Sequence, residues 1–546
     1  MRLADRMRRL AALTAALALG AMLAGCSGDD GAVGPAGSAG PAGPAGTAGV
    51  NCWDLNQNGA PDAATEDINK DGRVDVQDCR TPSGAYDAAA LHAGYFTEHA
   101  YAGTQDCLTC HGKMGDEFMT TVHWQQFGIS ANVQGREAER HGKRDYINNF
   151  CIAVPSNEAR CSECHAGYNW SDKNFDFGNP KNIDCLICHD QTGTYKKSQT
   201  AAGTPDPAVD LKAVARSVGQ NDGVPSRRAC ILCHANAGGG DNIKHGDLST
   251  DLIATTRAYD VHMGTDGANM KCTSCHGVKK DSAGKLVSHG IGGMPFHGVD
   301  EGALKDCGDC HGSRASVHAG TSVERVVRDH PRLACQVCHV PAIARKLATK
   351  TEWYWAEAGQ NIDPIPVDPA TGKQTYDKKK GRFVWQKNVR PTLLFHNGKW
   401  NKTMINVNDR YTALPAVMAA PAATFSDPDA MIYPFKKMVG NQAADRNNKT
   451  LLVPHLFGTK AGPNPYWSKF DWNLALQEGA AYAGQTYTGQ YEFVNTVMYL
   501  SVNHEVAPKA QALGLNNNCA HCHAGQVDWA ALGWSADPIL GGTRPR

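Results

Sequence analysis

The sequence predicts a mostly α, coil-rich fold whose interior is filled largely by groups attached to the chain. Three observations predict it. The motif C-x-x-C-H occurs eight times in 546 residues. The sequence between these motifs, from about residue 81 to 340, is rich in Gly, Asn and Asp and shows few long helical periodicities. Residues 341–518 carry no such motif but hold the aromatic stretches TEWYWAEAG, FDWNLALQEGAAYAG and YEFVNTVMYLSVNH. The last two read as helices that pack against the motif-bearing region.

The motifs are Cys107-x-x-Cys110-His111, Cys161-x-x-Cys164-His165, Cys185-x-x-Cys188-His189 and Cys230-x-x-Cys233-His234. They continue with Cys272-x-x-Cys275-His276, Cys307-x-x-Cys310-His311, Cys335-x-x-Cys338-His339 and Cys519-x-x-Cys522-His523. Two thiols at this spacing form thioethers with the vinyl groups of a haem, and the adjacent histidine reaches the iron. An isolated C-x-x-C would suit a zinc site or a redox-active dithiol equally well. Eight copies, each followed by histidine, remove those readings and predict a multihaem cytochrome c fold with eight covalently bound haems c. The eighth motif lies far from the others, so the C-terminus must fold back, and 81–546 reads as one domain.

Of 20 cysteines, Cys26, Cys52, Cys79 and Cys151 lie outside the motifs. Residues 1–25 begin with Arg2, Arg6, Arg8 and Arg9, followed by a short apolar run from Leu10 to Met22. This is an export signal. Leu23-Ala24-Gly25-Cys26 resembles a lipobox, so Cys26 is expected to carry lipid. The expected location is the outer membrane or cell surface, its periplasmic face included. From Gly28 to Gly49 glycine recurs every third residue, and 26–50 reads as a spacer above the lipid.

Residues 51–80 form a small EF-hand- or dockerin-like calcium module. Asp67, Asn69, Asp71, Asp75 and Asp78, with Gly72 between them, match an EF-hand loop. Asp54, Asn56 and Asn58 start a poorer second loop. Both lie between Cys52 and Cys79, which would pair in an oxidising compartment. Lys and Arg number 54, as do Asp and Glu, and nothing points to nucleic acid.

Each haem iron has a second axial position. The plausible distal ligands are His92, His123, His245, His262, His318, His330 and His504, whereas His396 and His455 read as structural. A haem ligated by two histidines only passes electrons. A catalytic haem needs a displaceable ligand, and a neutral lysine amine serves when burial lowers its pKa. Cys151, ten residues before Cys161, is the cysteine without an assigned role.

The segments HGKRDYINNFC, CSECHAGYNW, NIDCLICHDQTGTYKK, GGGDNIKHGDL, DVHM and GQYEFVNTVMYLSVNHEVAPK resemble the octahaem tetrathionate reductase family of c-type cytochromes. The resemblance covers nearly all of 85–525. It implies a catalytic second haem, here on Cys161, Cys164 and His165, with Lys244 as distal ligand and Cys151, Asn148 and Asp241 beside it. Lys196 and Lys197 are rival lysines. It further implies reduction of tetrathionate, or of nitrite or hydroxylamine, with electrons from a donor cytochrome or a quinol-oxidising partner. The competing reading is a conduit to external acceptors without a catalytic site. A hydroxylamine-oxidising enzyme is weaker still, since no residue pattern argues for the tyrosine cross-link it needs.

Overall fold

The computed structural model describes residues 60–67, 72–74, 87–150, 152–280, 282, 286–293, 303–405 and 409–543. The chain divides into two units, Met1–Ala60 and Pro61–Arg546, and the fold below is that of the second. The expected signal, spacer and most of the calcium module lie outside the described residues, as do Cys26, Cys52, Cys79 and Cys151. Of the expected calcium ligands only Asp67 is described. Its Oδ2 accepts the Gly72 amide at 2.8 Å, across a glycine whose φ of 85° makes the sharp turn such a loop needs.

The motifs fold as single helical turns. Cys307–His311 and Cys335–His339 are helices, and Leu186–His189 and Arg227–His234 end in the motif histidine. Ser162–Cys164, Cys272–Ser274 and Cys519–His521 are tighter 3₁₀ turns. One turn brings residues i, i+3 and i+4 to the same face, which is what two thioethers and an axial ligand to one haem require. Local caps start these turns. Ser226 accepts the Ala229 amide, and Asp306 and Asp309 bond reciprocally to each other's backbone before Cys307.

Small strands flank the motifs. Phe127–Ile129 (β1) pairs with Arg140–Gly142 (β2), and His276–Lys280 (β3) pairs with Leu286–Ile291 (β4) and Ala303–Leu304 (β5). The C-terminal half is dominated by one eight-stranded sheet. Its strands are Thr349–Tyr354 (β6), Tyr376–Asp377 (β7), Gly381–Gln386 (β8), Thr392–His396 (β9), Trp400–Lys402 (β10), Ala416–Pro421 (β11), Met431–Asp445 (β12) and Tyr491–Ser501 (β13). The order is β10-β11-β13-β12-β6-β8-β7, with β9 on the N-terminal part of β12. β12 and β13 pair antiparallel from Phe435↔Ser501 to Asp445↔Tyr491, while β11–β13 and β6–β12 are parallel.

This sheet corrects the expectation of a mostly α fold. FDWNLALQEGAAYAG does form a helix, Trp472–Tyr482, capped by Asp471. YEFVNTVMYLSVNH does not; it is the central strand β13. Its Phe493, Val494, Val497 and Met498 fit a helical spacing. Val, Thr and aromatic side chains also fit a pleated surface, and having a strand on each side decides the outcome. The main core packs on the sheet through Trp353, Trp355, Phe383, Met418, Met438 and Trp472. The motif-bearing half has only small apolar clusters, such as Ile231, Ala235, Leu252 and Tyr259.

Candidate functional site

A cavity of 2710 Å³ runs through the motif-bearing half. It is several times the roughly 300–1,000 Å³ of a site for one drug-sized ligand. Its walls carry the motif residues Cys161, Cys164 and His165, Cys230 to His234, Cys272 to His276, Cys307 to His311 and Cys335 to His339. The apolar interior missing from this half is the space that covalently held haems would take.

Histidine rings face one another in six pairs, four of them with both members on this cavity. Ring centroids are 5.8 Å apart for His92–His111, 5.9 Å for His262–His311 and 6.1 Å for His318–His339. They are 6.2 Å apart for His123–His234, His276–His504 and His330–His523. Two imidazoles bound from opposite sides, each at a metal–nitrogen distance of about 2 Å, have centroids about this far apart. Second-shell bonds agree. Nδ1–H of His92 donates to the Ala88 carbonyl at 2.7 Å, that of His276 to Gly292 at 2.7 Å, and that of His318 to Arg314 at 2.7 Å. His330 donates to Val326 at 3.0 Å and His523 to the Asp537 carboxylate at 2.7 Å. A ring whose Nδ1–H is committed this way turns Nε2 toward a metal. The donor set therefore fits haem c.

Of the seven expected distal histidines, six stand in these pairs. His245 does not face a proximal histidine in any of them; burial and then the charge of Lys244 hold its pKa well below the usual range. Sequence reasoning missed His289. It has the same second-shell arrangement, with Nδ1 bonded to Glu117 Oε2 at 2.9 Å. After burial, its charge is the largest influence lowering the pKa of His189 to about 4, so the two rings are neighbours. Glu117 lies 172 residues before His289, a separation that leaves no local sequence signal. His455 is structural as expected, bonded through Nδ1 to Glu478 at 2.8 Å and through Nε2 to the Phe457 carbonyl at 3.0 Å. His396 packs among Trp400, Tyr433 and Phe435.

His165 differs. No histidine ring faces it among the described residues. Its neighbours are Trp124, Trp170, Phe175 and Phe177, with centroids 4.9 to 6.0 Å away. Its Nε2–H donates to the Trp124 carbonyl at 2.6 Å and its Nδ1 has no partner. Binding iron through Nε2 therefore requires the ring to leave that carbonyl. Behind it, Lys197 Nζ donates to the carbonyls of His165 at 2.5 Å and Gly167 at 3.1 Å and pairs with Asp184 at 3.0 Å. Lys197 is thereby committed to the backbone of the His165 segment, and Lys196 pairs with Asp206 at 3.0 Å.

Lys244 lines the same cavity, its Nζ 5.6 Å from the centre of the Phe150 ring. Asn148 lines it too. The Asn148 amide and its Nδ2 both donate to the Ile152 carbonyl, at 2.8 and 3.0 Å, and its Oδ1 accepts the Phe150 amide at 3.0 Å. These bonds tie Asn148 to Phe150 and Ile152. Ile152 has φ 65°, a left-handed conformation costly for a β-branched residue. Asp241 is not brought into the cavity. Its carboxylate accepts the amide of Thr250 at 3.0 Å and the Thr250 hydroxyl, fixing the loop that leads to Lys244.

The surroundings are cationic. Lys143 and Lys402 line the cavity as well. Burial, and then the charge of Lys244, push Lys402 well below the usual lysine range. His234 falls to about 3 through burial, His123 and Lys244. Neither Lys143 nor Lys402 stands in a metal-binding pattern that would single it out. Neighbouring attachment sites also come close: Cys164 lies near Cys233, Cys230 near Cys272 and Cys307 near Cys335.

Glu158 begins the turn that delivers Cys161 and is 5% exposed. Burial raises its pKa to about 7, opposed by a hydrogen bond from Tyr482. A carboxyl whose folded pKa is raised contributes stability that is full below its unfolded value and is lost as pH climbs through 7. Glu158→Gln is therefore expected to match the parent near pH 4 and to exceed it at pH 8 by up to ~3 kcal/mol. Denaturant titration at the two pH values checks this.

The family model described as bacterial cytochrome c matches residues 350–526. An uncharacterized protein of Archaeoglobus fulgidus is 24% identical over 225 residues, 32% of this chain and 73% of its own. The crystal structure of octaheme cytochrome c from Shewanella oneidensis superposes with a TM-score of 0.70 at 37% identity, covering 85% of this chain and 100% of that one. With the motifs, the facing histidines and this full-length match together, the chain belongs to the octahaem cytochromes c.

Proposed function

We propose that the chain is an octahaem oxidoreductase that reduces a small inorganic oxidant, tetrathionate first and nitrite or hydroxylamine as alternatives, at the haem of Cys161, Cys164 and His165. One observation carries this reading. Among the described residues, His165 is the motif histidine that neither faces nor neighbours a distal histidine candidate, while Lys244 lines the same cavity. Bound haem supplies electrons one at a time. Lys244, as a neutral amine, would be a ligand that a bound haem could exchange for substrate, and its charge once protonated would hold an anion. Lys143 adds to that charge, and Lys402, which burial keeps from charging readily, adds a hydrogen-bond donor. Asn148 orders the backbone at Phe150 and Ile152, and Asp241 fixes the loop that carries Lys244. A Cys151 thiolate would be nucleophilic if cations lower its pKa, and able to exchange with the central disulfide of tetrathionate. Cys151 attack releases one thiosulfate and leaves a mixed disulfide. Two electrons from the haems then release the second thiosulfate and restore the thiolate.

The chain is further proposed to be an exported lipoprotein with a calcium module, receiving electrons from a cytochrome or quinol-oxidising partner. A conduit role has one observation in its favour: Cys307, Cys310 and Cys519 are exposed, so that end suits contact with another redox protein. Film voltammetry of the holoprotein with tetrathionate, nitrite and hydroxylamine tests the enzyme reading. Catalytic current with tetrathionate that drops at least ~10²-fold in Cys151→Ala is expected. No current with any of the three oxidants leaves the conduit.

A further inference from the structure

We propose that Lys436, on β12, is a positioning residue that aims Lys244 into the cavity; this rests on the reading of Lys244 as the displaceable ligand. Lys436 is fully buried. Its Nζ donates to the Ile243 carbonyl at 2.5 Å, the Lys244 carbonyl at 2.9 Å and Thr349 Oγ1 at 2.6 Å. Thr349, on the adjacent strand β6, passes its own proton to the Asn242 carbonyl at 2.5 Å. Three consecutive carbonyls, 242 to 244, are thus held by two side chains of the central sheet.

The geometry has a specific effect. The Ile243 carbonyl belongs to the peptide plane entering Lys244, and the Lys244 carbonyl to the plane leaving it. Fixing both fixes the dihedrals at Lys244 and hence the direction of its Cα–Cβ bond. The rest of the loop is locked as well. Asn242, at φ 60°, donates from Nδ2 to the Leu347 carbonyl at 2.8 Å. Gly246, at φ 83°, packs so closely that a Cβ there would lie 2.8 Å from Ile343 Cδ1 and 3.1 Å from Lys436 Cδ. A site that had only to be filled would take leucine or methionine without burying an ammonium. Among the described residues no carboxylate lies within ion-pair distance of Lys436. Burial lowers the pKa of Lys436 to about 7, and what its amine acquires is the two carbonyls that flank Lys244.

The test uses the full holoprotein and the variants Lys436→Met, Thr349→Val and Lys244→Ala. The readouts are near-infrared magnetic circular dichroism, which separates lysine–histidine from bis-histidine ligation, and voltammetry with tetrathionate. Lys436→Met is expected to shift or abolish the lysine–histidine band of one haem, leave the other seven unchanged, and cut kcat by ~10²-fold, the scale of a misplaced reacting group. Thr349→Val, which keeps shape and loses the hydroxyl, should shift the same band by a smaller amount. Retention of the band and of kcat in both variants would overturn the proposal. Loss of all eight haem signals in both would reduce Lys436 to a folding role and overturn it too. A spectrum that Lys244→Ala does not change would instead remove the reading of Lys244 on which the proposal rests.

Discussion

Lys244→Ala is expected to lower the catalytic current with tetrathionate by ~10²–10³-fold, the scale set by removing one group that stabilises charge at a reacting centre. Two losses combine in it. The amine disappears as the ligand that yields to substrate, and its charge disappears from the wall that receives an oxyanion. Lys143 remains on the cavity, so anion binding weakens less than turnover. A fall mostly in kcat with a modest rise in KM is the expected pattern. Non-catalytic redox waves should persist, because the six facing histidine pairs do not involve Lys244. Undiminished turnover in this variant would move the reacting centre away from His165.

Lys197→Met is expected to cost about 3–5 kcal/mol of stability, the range for removing one partner of a buried ion pair. The side chains of Lys197 and Asp184 are 1% and 0% exposed. Asp184 also accepts the hydroxyls of Tyr168 at 2.9 Å and Tyr195 at 2.7 Å and the Ile187 amide at 3.1 Å. Removing the ammonium leaves a carboxylate buried with only neutral donors and frees the carbonyls of His165 and Gly167. A lowered midpoint in thermal or denaturant unfolding of the holoprotein checks the prediction. The double change Lys197→Met with Asp184→Asn should recover much of the loss, since it removes the uncompensated charge as well.

The haem-binding plan was legible because each motif is local. Five residues in one helical turn contain both thiols and the ligand, so spacing alone identifies them. Distal histidines are set by tertiary packing, yet six of the seven named stand opposite a proximal ring. The failure is instructive. His245 follows Lys244 on the same loop, where it neighbours His234 from a position His123 already fills. His289 comes from the β4 hairpin strand and takes its orientation from Glu117 on a distant helix. No run of sequence links those residues. The sheet was missed for a related reason. The apolar positions of Tyr491–Ser501 suit a helix and a strand equally, and only β11 and β12 on either side resolve them. Lys436 was invisible because the Lys436-Lys437 pair in MIYPFKKMVG matches no motif; its meaning lies in carbonyls 193 and 192 residues away.

The sheet also orders the assembly of the molecule. β12 and β13 are its centre, and they are synthesised after the first seven motifs, from Cys107 to His339. β6 gains its parallel neighbour only when β12 emerges, and β11 gains its own only with β13. During synthesis the seven earlier motifs therefore wait without the scaffold that will anchor the Lys244 loop. Their thiols stay open to the covalent attachment of haem until the last fifth of the chain arrives and closes the structure around them. In this chain the scaffold closes last, and its topology favours attaching haem to the earlier motifs before the sheet forms.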